Sequence, residues 1–537
     1  MYFTLAISVA SAGSCAALTE RALATHAEVM PIPGPASVAW RSEDGRAVVL
    51  RWGADTNAPS AGATRTLSAE TTCASHNGTI WADPSAADSP VCARTSLTRV
   101  DPVYAAELPG AVILSDRAMW AASVAGRLGD LDPSHACALL NTGFPLGATT
   151  PWRGVSALPP AATARAVSGR LTIQPGSLNA PAAGSGVAVA AVAAALVAAV
   201  EPLKEAGEPV QLSLTGGKDS RLVAAALVAA GVAVHAKTHG FPEHPDVVVA
   251  ADVAKRLGID HTPVTPAAPG QDTDVLARLR ATVLVADGML SAFENVGRTD
   301  PSRSPALSAG GHGGELLRGG YAETAAGRRA ASLRATEVLR RLTTKHLGLI
   351  RRGAAAGYLA SLAPWTGTAL ARGPLPMLDD FYLVNRAGRW SAAARQAYLI
   401  RERLAQPLFD QSVVRAARAV PLGSRTNGSL IRNAIAELRP DLADVPFAGK
   451  PAKGSVPPAF DWRREYGTEI AEFFRDYTLD LGAKSGLFDV VSRAAAEKVL
   501  TPPHADRGTV WALATLACLY SGDYRDAREP VLRLPVT

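Results

Sequence analysis

The segment Val210-Gln-Leu-Ser-Leu-Thr-Gly-Gly-Lys-Asp-Ser220, followed by Arg221-Leu-Val-Ala-Ala-Ala-Leu, places an apolar run, a glycine-rich turn and an Ala-rich run in succession. It reads as strand, turn and helix. Such a turn aims backbone N–H groups at the space before a helix N-terminus, where an anion is favoured. Gly216 and Gly217 let the backbone curl and approach a phosphate closely. Thr215 and Ser220 add hydroxyls. Asp219 would repel a phosphate, so a carboxylate there makes sense with a Mg²⁺ between it and the phosphates. A Walker A loop needs Gly-Lys-Ser/Thr, whereas Lys218 is followed by Asp219. A second segment, Ser308-Ala-Gly-Gly-His-Gly-Gly-Glu-Leu-Leu-Arg-Gly-Gly-Tyr321, sets one His and one acid among six glycines. That backbone has little steric cover, as approach to a ligand needs. Glu315 could give the same metal a second carboxylate; the bland alternative is a flexible surface loop.

The elements that position these residues change character along the chain. Residues 1 to about 175 are β-rich, with short apolar, β-branched runs at Val38-Ala-Trp-Arg, Ala47-Val-Val-Leu-Arg-Trp and Gly110-Ala-Val-Ile-Leu-Ser. Pro159, Pro160 and the stretch from Pro175 to Gly186 mark a linker. Beyond it the pattern predicts helix 187–206, strand 209–214, helix 220–231, strand 233–239 and helix 246–257 ended by Gly258. Strand–helix alternation implies a parallel sheet, with ligands at the carboxyl ends of its strands. The part after about 325 is mostly helical.

Composition narrows the class. Of 537 residues, 48% are hydrophobic and 19% charged, which suits a large globular core of two or more domains. A net charge of +6 is too mild at this length to argue for nucleic acid. Cys15, Cys73, Cys92, Cys137 and Cys518 have no metal-like spacing. Reduced cytosolic thiols are expected, with a Cys73–Cys92 pair the alternative. The apolar start Met1-Tyr-Phe-Thr-Leu-Ala-Ile lacks the basic residues of a signal peptide and reads as a first strand. The 14 apolar residues from Val187 to Val200 fall short of the ~20 that cross a bilayer. No membrane span is expected.

The first segment resembles the Ser/Thr-Gly-Gly-x-Asp-Ser loop of ATP pyrophosphatases, which cut ATP between the α and β phosphates. The second resembles the Gly-Glu-Gly-Ser-Asp-Glu-Leu-Phe-Gly-Gly-Tyr-like segment of asparagine synthetases; aligned back from Tyr321, the metal-binding Asp of that family falls on Glu315 and its Gly-x-Gly on Gly311-His312-Gly313. A third, Leu438-Arg-Pro-Asp-Leu-Ala-Asp-Val-Pro-Phe-Ala-Gly-Lys450, resembles the C-terminal stretch of that family, ending in a Lys that contacts the α-phosphate; Lys453 competes for the role. Asp101-Pro-Val-Tyr, Ala111-Val-Ile-Leu-Ser-Asp and Trp152-Arg-Gly-Val-Ser-Ala-Leu-Pro-Pro-Ala resemble parts of its glutaminase domain.

The resemblance implies an α/β protein of two parts. Residues 1–178 would be an Ntn-hydrolase-like αββα domain, a degenerate glutaminase. Residues 187–537 would be an adenine-nucleotide α-hydrolase-like synthetase domain. ATP and Mg²⁺ are implied, with Ser213, Thr215, Gly216, Gly217, Lys218, Asp219, Ser220 and Gly311 on ATP, Asp219 and Glu315 on the metal, and Lys450 and His312 catalytic. Tyr2 stands where a working glutaminase has its nucleophilic Cys. Glutamine-derived ammonia is therefore not the expected nucleophile. Lasso-peptide cyclases and β-lactam-type synthetases share this combination, and the Thr-Gly-Gly-Lys-Asp-Ser-Arg variant is most similar to actinobacterial macrolactam cyclases of the albusnodin type. The expected reaction is adenylation of an Asp or Glu side chain of a precursor peptide and isopeptide formation with its N-terminal amine, in the cytoplasm, alongside a leader-binding protein and a leader peptidase. A β-lactam-type synthetase or an asparagine-synthetase-like amidotransferase acting on a small amino acid is the alternative. His312 sits where β-lactam synthetases use a Tyr within their base; it either serves as base or hydrogen-bonds within the glycine loop. The basic run from Arg318 through Arg328-Arg329, Arg334, Arg340-Arg341 and Lys345 to Arg351-Arg352 either holds an anion or is a solvated helix face.

Overall fold

The computed structural model describes residues 3–31, 34–52, 65–66, 79–83, 88, 90–178, 185–265, 275–294, 296, 306–327, 335–399, 403–449, 463, 466–503 and 506–526. The expected first strand is present as Phe3–Val9, buried along its whole length and placed inside a six-stranded antiparallel sheet. In that sheet the order is Ala36–Arg41, Ala47–Trp52, Phe3–Val9, Ala111–Ser115, Tyr104–Leu108, Val155–Ala157. One face carries Leu5, Ile7 and Ile113 into a core with Leu18, Ala22 and Trp120 from the helices Ala12–Val29 and Ala118–Val124. The alternate residues Ala6, Val49 and Leu114 pack instead on Val91, Ala164 and Ala166 of a second antiparallel sheet. This alternation is the period-2 consequence of strand geometry. The outer face of the second sheet presents exposed Arg94, Thr163 and Arg165. Among the described residues the N-terminal part is thus built in three layers, α–β–β, and a fourth helical layer does not emerge.

The expected parallel sheet follows, in the order Asp260–Val264, Val234–His239, Val210–Ser213, Leu307–Gly310, Arg403–Ala405. Its first three strands wind outward through the helices Lys218–Ala229 and Pro245–Leu257, and the chain then returns to the other side of Val210–Ser213. A reversal of strand order opens a crevice beyond the strand ends, and it lies between Val210–Ser213 and Leu307–Gly310. Gly258 caps its helix in the left-handed region at φ 67°, as expected of a glycine stop. The helix expected over 187–206 runs Ser185–Val200 and tightens to a 3₁₀ turn, Glu201–Ala206, with Pro202 in its first turn.

Buried arginines join the two parts. Arg99 donates to the carbonyls of Gly147 and Leu158 on its own side and of Val384 and Gly388 across the junction, at 2.9–3.2 Å. Arg395 pairs with Asp101 at 2.9 Å. Arg117 pairs with Asp287 at 2.5 Å, both side chains fully buried. Val384 and Gly388 belong to a π-helix, Tyr382–Ser391, lying along this junction. One apolar cluster also runs from the first sheet to the helices Val275–Val285 and Arg507–Ser521. A buried pair that loses one partner leaves an uncompensated charge, so Asp287→Asn is expected to lower the unfolding free energy by about 3–5 kcal/mol. Urea denaturation followed by circular dichroism measures this; an unchanged midpoint would mean that the pair contributes nothing to holding the parts together.

Candidate active site at the crevice

The helix after the central strand begins at Lys218, two residues earlier than the sequence pattern suggests, so Asp219 stands in its first turn. No side chain caps that turn. Its leading N–H groups therefore face the crevice as a ready anion site. The turn before it is held by its own hydroxyls. Ser220 Oγ accepts from Thr215 N at 3.0 Å and lies 2.9 Å from Thr215 Oγ1, which accepts from Gly217 N at 3.1 Å. Both hydroxyls thereby shape the loop. Gly216 N donates to Asp246 Oδ1 at 3.1 Å, a carboxylate from the first turn of the next helix. Ser213 is exposed at the end of the central strand, beside Gly310 on the neighbouring one.

The glycine-rich segment leaves that neighbouring strand and crosses directly over the helix start. A Cβ at Gly311 would lie 2.5 Å from Ser220 N, and one at Gly314 would lie 2.1 Å from Asp219 Cγ. Gly313 turns the chain at φ 93°. These contacts bring together Thr215, Gly216, Gly217, Lys218, Asp219, Ser220, Gly311 and Glu315, as the motif readings require. His312 is exposed at the rim, with Nδ1 3.5 Å from the Cβ position of Gly310. It makes no hydrogen bond with the described residues, so the glycine loop does not consume its ring nitrogens.

The electrostatics centre on Asp219. Burial raises its pKa above the usual carboxylate range; Arg318 pulls it back down, and the charge of Glu315 adds to the rise. Arg318 Nη2 lies 2.8 Å from Asp219 Oδ2 and 3.6 Å from Glu315 Oε1. Its Nη1 bonds Glu323, whose other oxygen accepts from Lys218 Nζ at 3.0 Å. Burial and the charge of nearby Glu315 raise the pKa of Tyr382, so its phenol stays neutral beside that carboxylate. Asp219 Oδ1 is buried with no hydrogen-bond partner. An oxygen left over in this way, beside the half-exposed Glu315 carboxylate, fits the oxygen donors a Mg²⁺ takes.

The third motif docks onto the same loop through Arg221, a residue to which the sequence gives no role. Arg221 donates to Val445 O at 2.7 Å, Pro446 O at 2.9 Å and Gly216 O at 3.3 Å, and stacks 4.3 Å over the Phe447 ring. Ala448 N donates to Gly216 O at 2.9 Å. The segment is thereby anchored as far as Ala448, while Lys450 and Lys453 lie outside the described residues. The basic run divides. Arg318 is in the site; Arg340 and Arg341 pair with Glu337 on their own exposed helix face, above buried Val338 and Leu339. Lys345 pairs with Asp506, and Arg351 and Arg352 are exposed. Arg328, Arg329 and Arg334 lie outside the described residues. Sequence reasoning also missed Asp246, Glu323 and Tyr382. Asp246 had one available signal, an acid in the first turn after a parallel strand.

The described thiols are poorly placed for cysteine chemistry. Cys15, Cys92, Cys137 and Cys518 are free and buried, and burial raises each pKa, that of Cys137 and Cys518 to about 12. Cys73 is outside the described residues. No helix of the described residues is long and apolar enough to cross a membrane.

The close approach of the two turns is the weakest tolerance in the site. Gly314→Ala is expected to cut ATP-dependent turnover about a hundredfold, the scale of an ångström-sized misplacement, with circular dichroism unchanged. Activity near that of the parent would show that Asp219 does not need its present position.

A family model for asparagine synthase matches residues 191–517, more than half of the chain and all three motifs. None of the curated proteins matches the chain. Match and geometry agree on the same strands and turns: the chain belongs to the asparagine synthase family, whose chemistry is ATP-dependent carbon–nitrogen ligation.

Proposed function

We propose that the chain is an ATP-dependent macrolactam cyclase. It adenylates an Asp or Glu side chain of a precursor peptide and closes an isopeptide bond with the peptide's N-terminal amine, releasing AMP and pyrophosphate. The observation that carries this reading is the contrast between the two parts. The crevice keeps an anion-binding helix start with two carboxylates beside it, whereas every described cysteine is buried and poorly ionised, and Tyr2 holds the glutaminase nucleophile's place. An amine already on the substrate removes the need for ammonia. Residues 1–178 then form the degenerate glutaminase-like domain and 187–537 the synthetase domain.

In this mechanism Ser213, Thr215, Gly216, Gly217, Lys218, Asp219, Ser220 and Gly311 form the wall against which the ATP phosphates lie. Bound by Asp219 and Glu315, a Mg²⁺ would offset the negative charge of the phosphates. The substrate carboxylate oxygen attacks the α-phosphorus and the bond to the β-phosphate oxygen breaks; the protein's part is mostly positioning and charge neutralisation. Lys450, or Lys453 in its stead, would stabilise negative charge at the α-phosphate. The amine nitrogen then attacks the acyl carbon, AMP leaves, and His312 takes the proton from the new amide nitrogen. Its exposed, unbonded ring suits a group that must meet a peptide amine. A separate leader-binding protein and a leader peptidase would deliver the peptide.

Incubation with ATP, Mg²⁺ and a leader-processed peptide is expected to give AMP and pyrophosphate in step with loss of one water from the peptide, with Asp219→Ala inactive. AMP formed with a small amino acid derivative instead would favour a β-lactam-type or amidotransferase reaction, and ADP would exclude adenylation. His312→Gln is expected to slow cyclisation by about 10²–10⁴-fold while leaving carboxylate-dependent pyrophosphate exchange into ATP. Equal loss of both would remove His312 from the proton-transfer step.

A further inference from the structure

Three carboxylates converge on one guanidinium in the crevice. Arg318 reaches Asp219 at 2.8 Å, Glu315 at 3.6 Å and Glu323 through its second terminal nitrogen, with only 11% of its side chain exposed. Lys218 adds a second cation on Glu323 at 3.0 Å. Three negative and two positive side chains leave the cluster with a single net negative charge. Among the described residues no three His, Cys, Asp or Glu side chains are placed to hold a metal ion by themselves. Asp219 offers its unpartnered Oδ1, but its Oδ2 is taken.

We propose that Arg318 is a resident cation that guards the Asp219–Glu315 pair against free divalent metal, so that metal enters this site only as the metal–ATP complex. The proposal rests on the reading that these two carboxylates hold Mg²⁺. A bare divalent ion entering between them would meet a fixed positive charge that lies 2.8 Å from one carboxylate and 3.6 Å from the other, and like charges repel. It would also find Asp219 Oδ2 already taken by Arg318, leaving few protein oxygens to hold it against its own hydration shell. ATP supplies both missing elements: phosphate oxygens as ligands, and negative charge enough for guanidinium and metal to coexist. Binding is then ordered by electrostatics, and the empty site stays compact around its own ion pairs. Arg318 is here a positioning residue, acting through the carboxylates.

The test uses Mn²⁺ as the probe and reads free Mn²⁺ by electron paramagnetic resonance, with no turnover. The full chain, Arg318→Met and the double variant Arg318→Met/Glu323→Gln are titrated with and without α,β-methylene-ATP. The double variant removes one charge of each sign, keeping the cluster's net charge and favouring folding if the single variant is unstable. Without nucleotide, both variants are expected to bind Mn²⁺ at least about tenfold tighter than the parent. With the analogue, the parent is expected to gain most of that difference. Equal Mn²⁺ affinity of parent and variants without nucleotide overturns the proposal while leaving the metal reading intact. Asp219→Asn binding Mn²⁺ and analogue as tightly as the parent overturns the metal reading itself, and the guard role with it.

Discussion

Two backbone turns leave adjacent parallel strands and meet with no room for a side chain between them. Gly311 lies against the amide of Ser220, and Gly314 against the carboxyl carbon of Asp219. That contact buries Asp219 at a helix start, and burial is what makes its charge expensive. The rest of the crevice answers that cost. Arg318 comes from the end of the same glycine-rich segment, and Glu323 and Lys218 hold Arg318 in place.

The same loop is the anchor for the third motif. Arg221 sits two residues beyond Asp219 and fastens Val445, Pro446 and Phe447 to the turn. Strand, helix start, glycine crossing and C-terminal segment are therefore one mechanical unit. A displacement of any member moves the others, because the contacts are backbone to backbone or guanidinium to carbonyl.

Much of this unit was readable in the amino-acid order, because its signals are local. The Gly-Gly turn, the Ala-rich helix, the stop at Gly258 and the alternation of strand and helix each depend on neighbours in sequence, and each recurs within about two residues of the expected bounds. That the hydroxyls of Thr215 and Ser220 bond each other within the loop was not legible, because a side chain's partner is fixed only when the turn closes. Glu323, Asp246 and Tyr382 escaped notice for a similar reason. They lie far from Asp219 in sequence and reach the site through sheet order and helix packing. The basic run shows the limit of composition: one arginine, Arg318, enters the crevice, while Arg340 and Arg341 serve a solvated helix face.

The π-helix Tyr382–Ser391 touches both parts of the molecule. Its first residue, Tyr382, is near enough to the crevice for the charge of Glu315 to raise its pKa. Further along, Asn385 accepts from Gly147 N, Gly388 O accepts from Arg99, and Arg389 bonds Thr149 O, all in the N-terminal part. The N-terminal part is thus a fixture for the crevice. Its bearing on the crevice then runs through shape. A change at Arg99, Arg117 or Asp101 would be transmitted along the seam, whereas one at Arg94 or Arg165, on the exposed face of the second sheet, would not. The N-terminal part acts as a buttress, and a crevice can be detuned from a surface that never touches its ligand.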